Sequence, residues 1–127
     1  MIYVIDHKDS FTHNVVHQLS LFDEVECDNY NNVDKIKLNK AKVIVFSPGP
    51  GNPKNYPLTS KIYNQFKGKK KIIGICLGFQ QILFCEGAQI VEQNKIYHGY
   101  QSNIKVNSKN SLFKKNQIFK VGRYHSL

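Results

Sequence analysis

The stretch from Lys71 to Cys85, KIIGICLGFQQILFC, joins two different hydrophobic patterns without a linker. Its first part is a short, nearly continuous apolar run, which is typical of a strand buried on both faces of a parallel sheet. Leu77 to Cys85 is an apolar segment that favours a helix, and Gly87 marks its end. The sequence therefore predicts a buried strand followed directly by a helix, with Cys76 at the junction.

Two other segments resemble this strand. Ile2 to Asp6 (IYVID) and Lys42 to Phe46 (KVIVF) are short apolar runs of the same kind. Between them, Phe11 to Phe22 carries apolar residues at three- and four-residue intervals, which predicts a helix with Ser10 as its N-cap. Strands that alternate with helices indicate an α/β fold with a doubly wound, mostly parallel sheet flanked by helices.

After residue 88 the pattern changes to shorter alternating runs, which predict a short antiparallel extension. The expected strands are Gln89 to Val91, Gln101 to Val106 and Gln117 to Val121. A length of 127 residues with 41% hydrophobic content fits one domain over residues 1–127.

Composition excludes several classes of function. The formal net charge is +9, but the lysines are spread along the chain, and the cluster Lys67 to Lys71 is expected to be a solvated turn, so nucleic-acid binding is not favoured. Three cysteines without a CxxC pair argue against a disulfide framework and a zinc site. The opening MIYVID lacks the pattern of an export signal, and no run approaches the ~20 apolar residues of a membrane span. We expect a cytoplasmic protein with no bound metal.

Cys76 lies between two glycines in Gly74-Ile75-Cys76-Leu77-Gly78. This arrangement is typical of a nucleophile elbow, in which a strained turn projects the reactive side chain and glycines allow close backbone approach. The start of a helix favours a thiolate, and the N–H of Leu77 would face a developing oxyanion. A buried structural cysteine packed between two glycines is the alternative.

The second candidate segment is Ser47 to Pro53, SPGPGNP, directly after the strand Val43 to Phe46. Its prolines fix φ and its glycines reach conformations closed to other residues, so we expect a rigid loop with presentable N–H groups. In an open α/β sheet, loops at the carboxyl ends of strands form the ligand crevice. The loop and Cys76 are therefore expected at the same edge; a plain turn is the alternative.

With these segments in place, the chain resembles the class I glutamine amidotransferases, and within them the glutaminase subunits of anthranilate synthase and para-aminobenzoate synthase. The matching stretches keep the family's order and spacing over 127 residues: Ile5-Asp6 with Asp9 to Thr12, Ser47 to Pro53, Gly74 to Gly78 with Gln80, His98-Gly99 with Ser102, and Arg123 to Leu127. The resemblance implies glutamine hydrolysis through a cysteine thioester. The ammonia would pass to a chorismate-binding synthase subunit, and no cofactor is expected.

The resemblance also implies roles for individual residues. Cys76 is the nucleophile, and the backbone N–H groups of Gly51 and Leu77 form the oxyanion hole. The residues that would hold the glutamine are Gly49, Pro50, Gly51, Gln80, Ser126 and Leu127.

The chain departs from the family pattern at several points. The family's catalytic base and its orienting carboxylate lie in a His-Pro-Glu stretch beyond the segment matched by Arg123 to Leu127, and none of the five histidines here precedes Pro-Glu. His125 is a candidate substitute base, although it matches a family histidine that is not the base. Tyr100 stands where the synthase glutaminases commonly carry lysine. Three further histidines are expected to be solvated or to cap a helix: His7, His13 and His17.

We expect the 127 residues to be the N-terminal two thirds of an amidotransferase domain, with the C-terminal third missing and little glutaminase turnover in isolation. The leading functional hypothesis is a glutaminase subunit for para-aminobenzoate or anthranilate synthesis. The alternative is a non-catalytic module that keeps the fold and docks on a synthase subunit.

Overall fold

The computed structural model describes residues 1–92, 94, 96–109 and 112–125. The chain forms two compact units, Met1–Ile90 and Val91–Leu127. The first unit holds four strands and four helices in the order β1 (Ile2–Asp6), α1 (Thr12–Ser20), β2 (Val25–Asn29), α2 (Lys35–Lys40), β3 (Val43–Phe46), α3 (Pro57–Phe66), β4 (Lys71–Gly74) and α4 (Leu77–Cys85). No helix in the described part of the chain has the length and apolar character needed to cross a bilayer.

The four strands form one parallel sheet in the order β2-β1-β3-β4. Ile5 of β1 pairs with Phe46 of β3, and Phe46 pairs with Gly74 of β4. The three strands therefore end at one level. Two backbone hydrogen bonds continue this level, since the Ser47 N–H donates to the Ile5 carbonyl at 3.2 Å and the Ile75 N–H to the Phe46 carbonyl at 3.0 Å.

Apolar side chains fill both faces of the sheet because successive strand residues point to opposite sides. On one face, Tyr3 and Ile5 of β1 belong to a cluster with residues of β3, α2 and α3: Ile44, Phe46, Leu38, Ile62, Tyr63 and Phe66. On the other face, Ile2 and Val4 pack with Val45 and with Val15 of α1. Helices therefore cover both faces, and the predicted doubly wound α/β fold is confirmed.

The second unit contains an antiparallel pair, β5 (Tyr97–Lys105) and β6 (Ile118–His125). The register shifts between His98 and Tyr100, where Gly99 has φ +77°. The Arg123 guanidinium lies 3.6 Å from the centre of the Tyr97 ring, so the single arginine of the chain stacks on an aromatic side chain. The predicted antiparallel extension is confirmed.

Two local predictions were wrong. Ser10 does not cap α1: Phe11 occupies the cap position, and the chain is turned instead by Asp9, whose carboxylate accepts the Phe11 N–H at 2.7 Å. The segment Gln89–Val91 is not a strand. It follows α4 and Gly87, which has φ +89°, and it pairs with no strand in the described part of the chain.

Candidate active site

Cys76 lies at a sharp bend between β4 and α4. Its φ is +52° and its ψ is −110°, a conformation that side-chain-bearing residues rarely adopt, and it is the cap residue of α4. Cys76 is also solvent-exposed. Backbone strain of about 1–3 kcal/mol persists only where surrounding structure holds it. These features match the elbow predicted from the sequence and exclude a cysteine packed inside the core.

The two glycines of the motif allow α4 to approach the sheet. A Cβ on Gly78 would lie 2.1 Å from the Phe46 carbonyl oxygen, and a Cβ on Gly74 would lie 2.3 Å from the Gly78 carbonyl oxygen. Neither contact is possible for a real side chain, because each partner is a backbone atom. Glycine at both positions therefore lets the first turn of α4 rest on the ends of β3 and β4, which fixes the direction in which Cys76 points.

The loop after β3 is held by hydrogen bonds from its own residues. Gly51 has φ +81°, and Asn52 and Asn55 cap each other's backbone around a single turn of 3-10 helix at Pro53–Asn55. The Asn52 N–H donates to Asn55 Oδ1 at 2.8 Å. The Tyr56 hydroxyl donates to the Pro50 carbonyl at 2.8 Å, which anchors the middle of the loop.

Gly49 brings this loop into contact with the elbow. A Cβ at Gly49 would lie 2.7 Å from Leu77 Cδ2 and 2.5 Å from His7 Cβ. Leu77 is the residue that follows Cys76, and only 1% of it is exposed. The carboxyl ends of β1, β3 and β4 thus come together, as the topology of an open α/β sheet predicts.

The electrostatic surroundings of the thiol differ from the expectation based on the helix dipole. Burial on its protein side raises the pKa of Cys76, the backbone N–H of Leu77 lowers it by hydrogen bonding, and the negative charge of Asp9 raises it again. The net pKa is above the ordinary thiol value. The elbow therefore supplies geometry and one hydrogen-bond donor, and the thiol is mainly protonated at neutral pH.

His7, expected to be solvated or capping, is instead 1% exposed. Its Nε2 lies 2.8 Å from Thr59 Oγ1, and its Nδ1 lies 3.3 Å from Ser47 Oγ. Desolvation by burial lowers the pKa of His7 to about 4, against opposing contributions from the Asp6 charge and the Ser47 hydrogen bond. His13 and His17 are exposed on α1, as expected.

The remaining predicted site residues lie in α4 and at the C-terminal end of the chain. Gln80 is in the first turn of α4, where its N–H donates to the Cys76 carbonyl at 3.0 Å. Ser126 and Leu127 lie outside the described residues, and so does the side chain of His125. The role of each of these residues stays a prediction. In the described part of the chain, no group of three or more His, Cys, Asp or Glu side chains could hold a metal ion.

His7, Thr59 and Tyr56 were not predicted from the sequence as parts of this site. A signal for His7 was present, because it follows β1 directly, just as Ser47 follows β3. Loops at the carboxyl ends of neighbouring parallel strands share one edge.

A comparison with models of protein families matches residues 3–127 to the glutamine amidotransferase class-I family. The chain belongs to this family. The match covers the elbow and the loop after β3, so the class I amidotransferase resemblance drawn from the motifs is confirmed.

Curated relatives have more specific names. The chain is 36% identical over its whole length to anthranilate synthase component 2 of Lactococcus lactis subsp. lactis (strain IL1403), of which it covers 65%. It is 34% identical over its whole length to aminodeoxychorismate/anthranilate synthase component 2 of Bacillus subtilis (strain 168), of which it covers 67%. The chain thus spans about two thirds of the length of these curated relatives.

A solved structure has the same fold. The chain superposes with a TM-score of 0.75 on a Thermoplasma acidophilum protein described as part of a GMP synthase, with 22% sequence identity. The superposition covers 98% of this chain and 64% of the Thermoplasma protein. At this level of identity the likeness establishes the fold alone.

Proposed function

We propose that this chain is the glutamine-hydrolysing part of a synthase that uses ammonia to aminate chorismate. The observation that carries the proposal is the contact between the Gly49 loop and Leu77, directly beside the strained and exposed Cys76. The relatives named as component 2 of anthranilate or aminodeoxychorismate synthase support it. The proposed partner is a chorismate-binding component 1, and the proposed location is the cytoplasm.

In the proposed reaction, the Cys76 thiolate attacks the side-chain amide carbon of glutamine. The carbonyl oxygen becomes an oxyanion between the N–H groups of Leu77 and Gly51, where fixed donors stabilise it. Collapse of the intermediate breaks the C–N bond, and the nitrogen takes up a proton and leaves as ammonia. Water then cleaves the thioester to glutamate and regenerates the thiol, so one water is consumed for each ammonia released.

The raised pKa of Cys76 sets a condition on this reaction. A nucleophilic thiol needs a base that removes its proton, and an oriented base typically contributes two to four powers of ten in rate. Three factors set the pKa of this thiol: its burial, the hydrogen bond from the Leu77 N–H and the charge of the Asp9 carboxylate. The charge of Asp9 disfavours the thiolate. We infer that the 127 residues bind and react with glutamine analogues but turn glutamine over slowly.

The raised pKa of Cys76 also favours the alternative proposal, a non-catalytic module that docks on the synthase. The two functions differ in whether Cys76 reacts selectively with a glutamine-shaped electrophile. A diazoketone analogue of glutamine alkylates a thiol with loss of dinitrogen, and mass spectrometry identifies the modified cysteine. We expect one adduct on Cys76, formed at least about 10-fold faster than with the analogue shortened by one methylene.

Two controls make the experiment decisive. Cys76→Ala should form no adduct, and Cys27 and Cys85 serve as internal references because they are the other free thiols. Equal labelling of Cys76 and Cys27, or no preference for the longer analogue, would contradict the glutaminase proposal and favour the docking module. Ammonia release by the chain with a purified chorismate-binding component then measures turnover.

A further inference from the structure

We propose that His7 is a positioning residue for the oxyanion loop: a neutral imidazole protonated at Nδ1 links Ser47 to Thr59 and holds Ser47 to Gly51 in the shape that presents the Gly51 N–H. This inference rests on the proposed function, which identifies glutamine as the substrate that would bind at the loop. It concerns a residue that touches neither the thiol nor the substrate.

The first step is the hydrogen-bond pattern at Ser47. Its hydroxyl donates to the Pro48 carbonyl at 2.7 Å and has only one proton to give. Ser47 Oγ therefore acts as acceptor toward His7, whose backbone N–H lies at 2.9 Å and whose Nδ1 lies at 3.3 Å. Because Ser47 Oγ is the acceptor in this hydrogen bond, Nδ1 must carry the proton that is donated.

The second step is the other ring nitrogen. His7 is neutral near pH 7, because its burial holds its pKa well below that pH. A neutral ring with a proton on Nδ1 offers a lone pair at Nε2, so the Thr59 hydroxyl donates to it across 2.8 Å. The hydrogen-bond partners on both sides of the ring fix its tautomer. Thr59 donates to His7, His7 donates to Ser47, and Ser47 donates to the Pro48 carbonyl.

The third step is the packing of His7 against the loop. Gly49 lies so close that an added Cβ would be 2.5 Å from His7 Cβ and 2.9 Å from the His7 carbonyl oxygen. The His7 ring meets the Tyr56 ring edge-on at a centroid distance of 4.9 Å, and the Tyr56 hydroxyl donates to the Pro50 carbonyl. His7 thus supports Ser47 and Gly49 directly and, through Tyr56, supports Pro50, the residue before Gly51.

These contacts differ from ordinary core packing because those with Ser47 and Gly49 are made directly to the loop and a third reaches it through Tyr56. The ring nitrogens are satisfied by Ser47 and Thr59, and the ring contacts the rings of Tyr56, Tyr30 and Phe46. A loop made of glycine and proline has few side chains with which to stabilise itself. A buried side chain that packs against the loop lowers the number of conformations the loop can adopt, and so preorganises its N–H donors.

The test compares two alkylation rates at Cys76, one with the diazoketone analogue of glutamine and one with iodoacetamide, which needs no oxyanion loop. In His7→Ala, we expect the diazoketone rate to fall at least about 10-fold while the iodoacetamide rate changes less than about 2-fold. His7→Asn can place a side-chain donor near Ser47 and should recover part of the loss. His13→Ala, at an exposed histidine of α1, is the matched control and should leave both rates unchanged.

Two further measurements keep the inference testable without the substrate. Nitrogen-15 shifts of the wild-type histidines should show His7 protonated at Nδ1. Thr59→Val, which keeps the shape of the side chain, should speed amide hydrogen exchange at Gly49 and Gly51 about 10-fold. A proton on Nε2 instead, or a folded His7→Ala with unchanged loop exchange and unchanged selectivity, would overturn the inference. A wild-type chain without selectivity would contradict the proposed function, while the tautomer and loop exchange still decide the role of His7.

Discussion

Gly49 and Leu77 are in van der Waals contact, with no room between them for a single added carbon: a Cβ on Gly49 would lie 2.7 Å from Leu77 Cδ2. This contact joins the loop after β3 to the first residue of α4. It explains why a glycine is needed at a position that is not at positive φ.

Gly49→Ala should therefore destabilise the first unit and displace the loop. The methyl group must push aside His7 and Leu77, and overpacking of this kind costs about 1–3 kcal/mol. Gly68→Ala is the control, because nothing lies within 4 Å of its Cβ position and only its φ of +74° is unfavourable. That strain costs about 1 kcal/mol. Urea unfolding of the two variants measures the difference, and a Gly49→Ala variant that is more stable than Gly68→Ala contradicts the close contact.

Replacing Cys76 by glycine should relieve its backbone strain. Glycine adopts a φ of +52° without penalty, so Cys76→Gly should be more stable than Cys76→Ala by about 1 kcal/mol after the entropic cost of glycine is subtracted. Cys27, in the middle of β2, gives the opposite expectation: Cys27→Gly should be less stable than Cys27→Ala by about 0.5–1 kcal/mol. Denaturant unfolding of the four variants tests both signs, and equal signs at the two positions would show that Cys76 is unstrained.

Removing the charge of Asp9 should make Cys76 more reactive at neutral pH. The Asp9 carboxylate raises the pKa of the Cys76 thiol, and Asp9→Asn keeps an oxygen that can accept the Phe11 N–H. The pH dependence of alkylation at Cys76 should therefore shift to lower pH. Glu24→Gln is the control, since Glu24 lies at the opposite, amino-terminal edge of the sheet, where its carbonyl accepts the Ile2 N–H. An unchanged pH profile in Asp9→Asn would show that its charge does not reach the thiol.

The buried His7 predicts loss of stability in mild acid. Its pKa is lowered by burial from 6.5 to about 4 in the folded chain, so between these values the unfolded chain binds a proton that the folded chain does not. The free energy of unfolding should therefore be largest above about pH 6.5 and fall by roughly 3 kcal/mol as the pH drops to about 4. His7→Asn should lose this slope, whereas His13→Asn should keep it. Chemical unfolding at several pH values measures it.

The sequence predicted β1, β3 and β4 because each is a short apolar run. The predicted burial on both faces was wrong for β4, which lies at an edge of the described sheet and leaves Ile73 45% exposed. The sequence did not predict β2, whose Glu26 and Asp28 interrupt the apolar pattern. The Asp28 carboxylate has a tertiary reason, since it accepts the hydroxyl of buried Tyr3 at 2.7 Å. An edge strand needs fewer apolar residues than a central one, so its pattern is weaker.

The candidate site was only partly predictable. Cys76 and its glycines were identified because the elbow is formed by residues adjacent in sequence. The burial of His7 depends on Ser47 and Thr59, which are 40 and 52 positions away along the chain, so only the folded sheet brings its partners together. Likewise, the pKa of Cys76 is raised first by burial and then by the charge of Asp9, and local helix-terminus arguments include neither.

A crystal structure of the chain with Cys76 alkylated by the diazoketone analogue of glutamine tests the central claim most directly. We expect the carbonyl oxygen of the adduct to lie within roughly 3 Å of the backbone nitrogens of both Leu77 and Gly51. An adduct whose carbonyl points to solvent, or lies beyond hydrogen-bonding distance of Gly51, would contradict it.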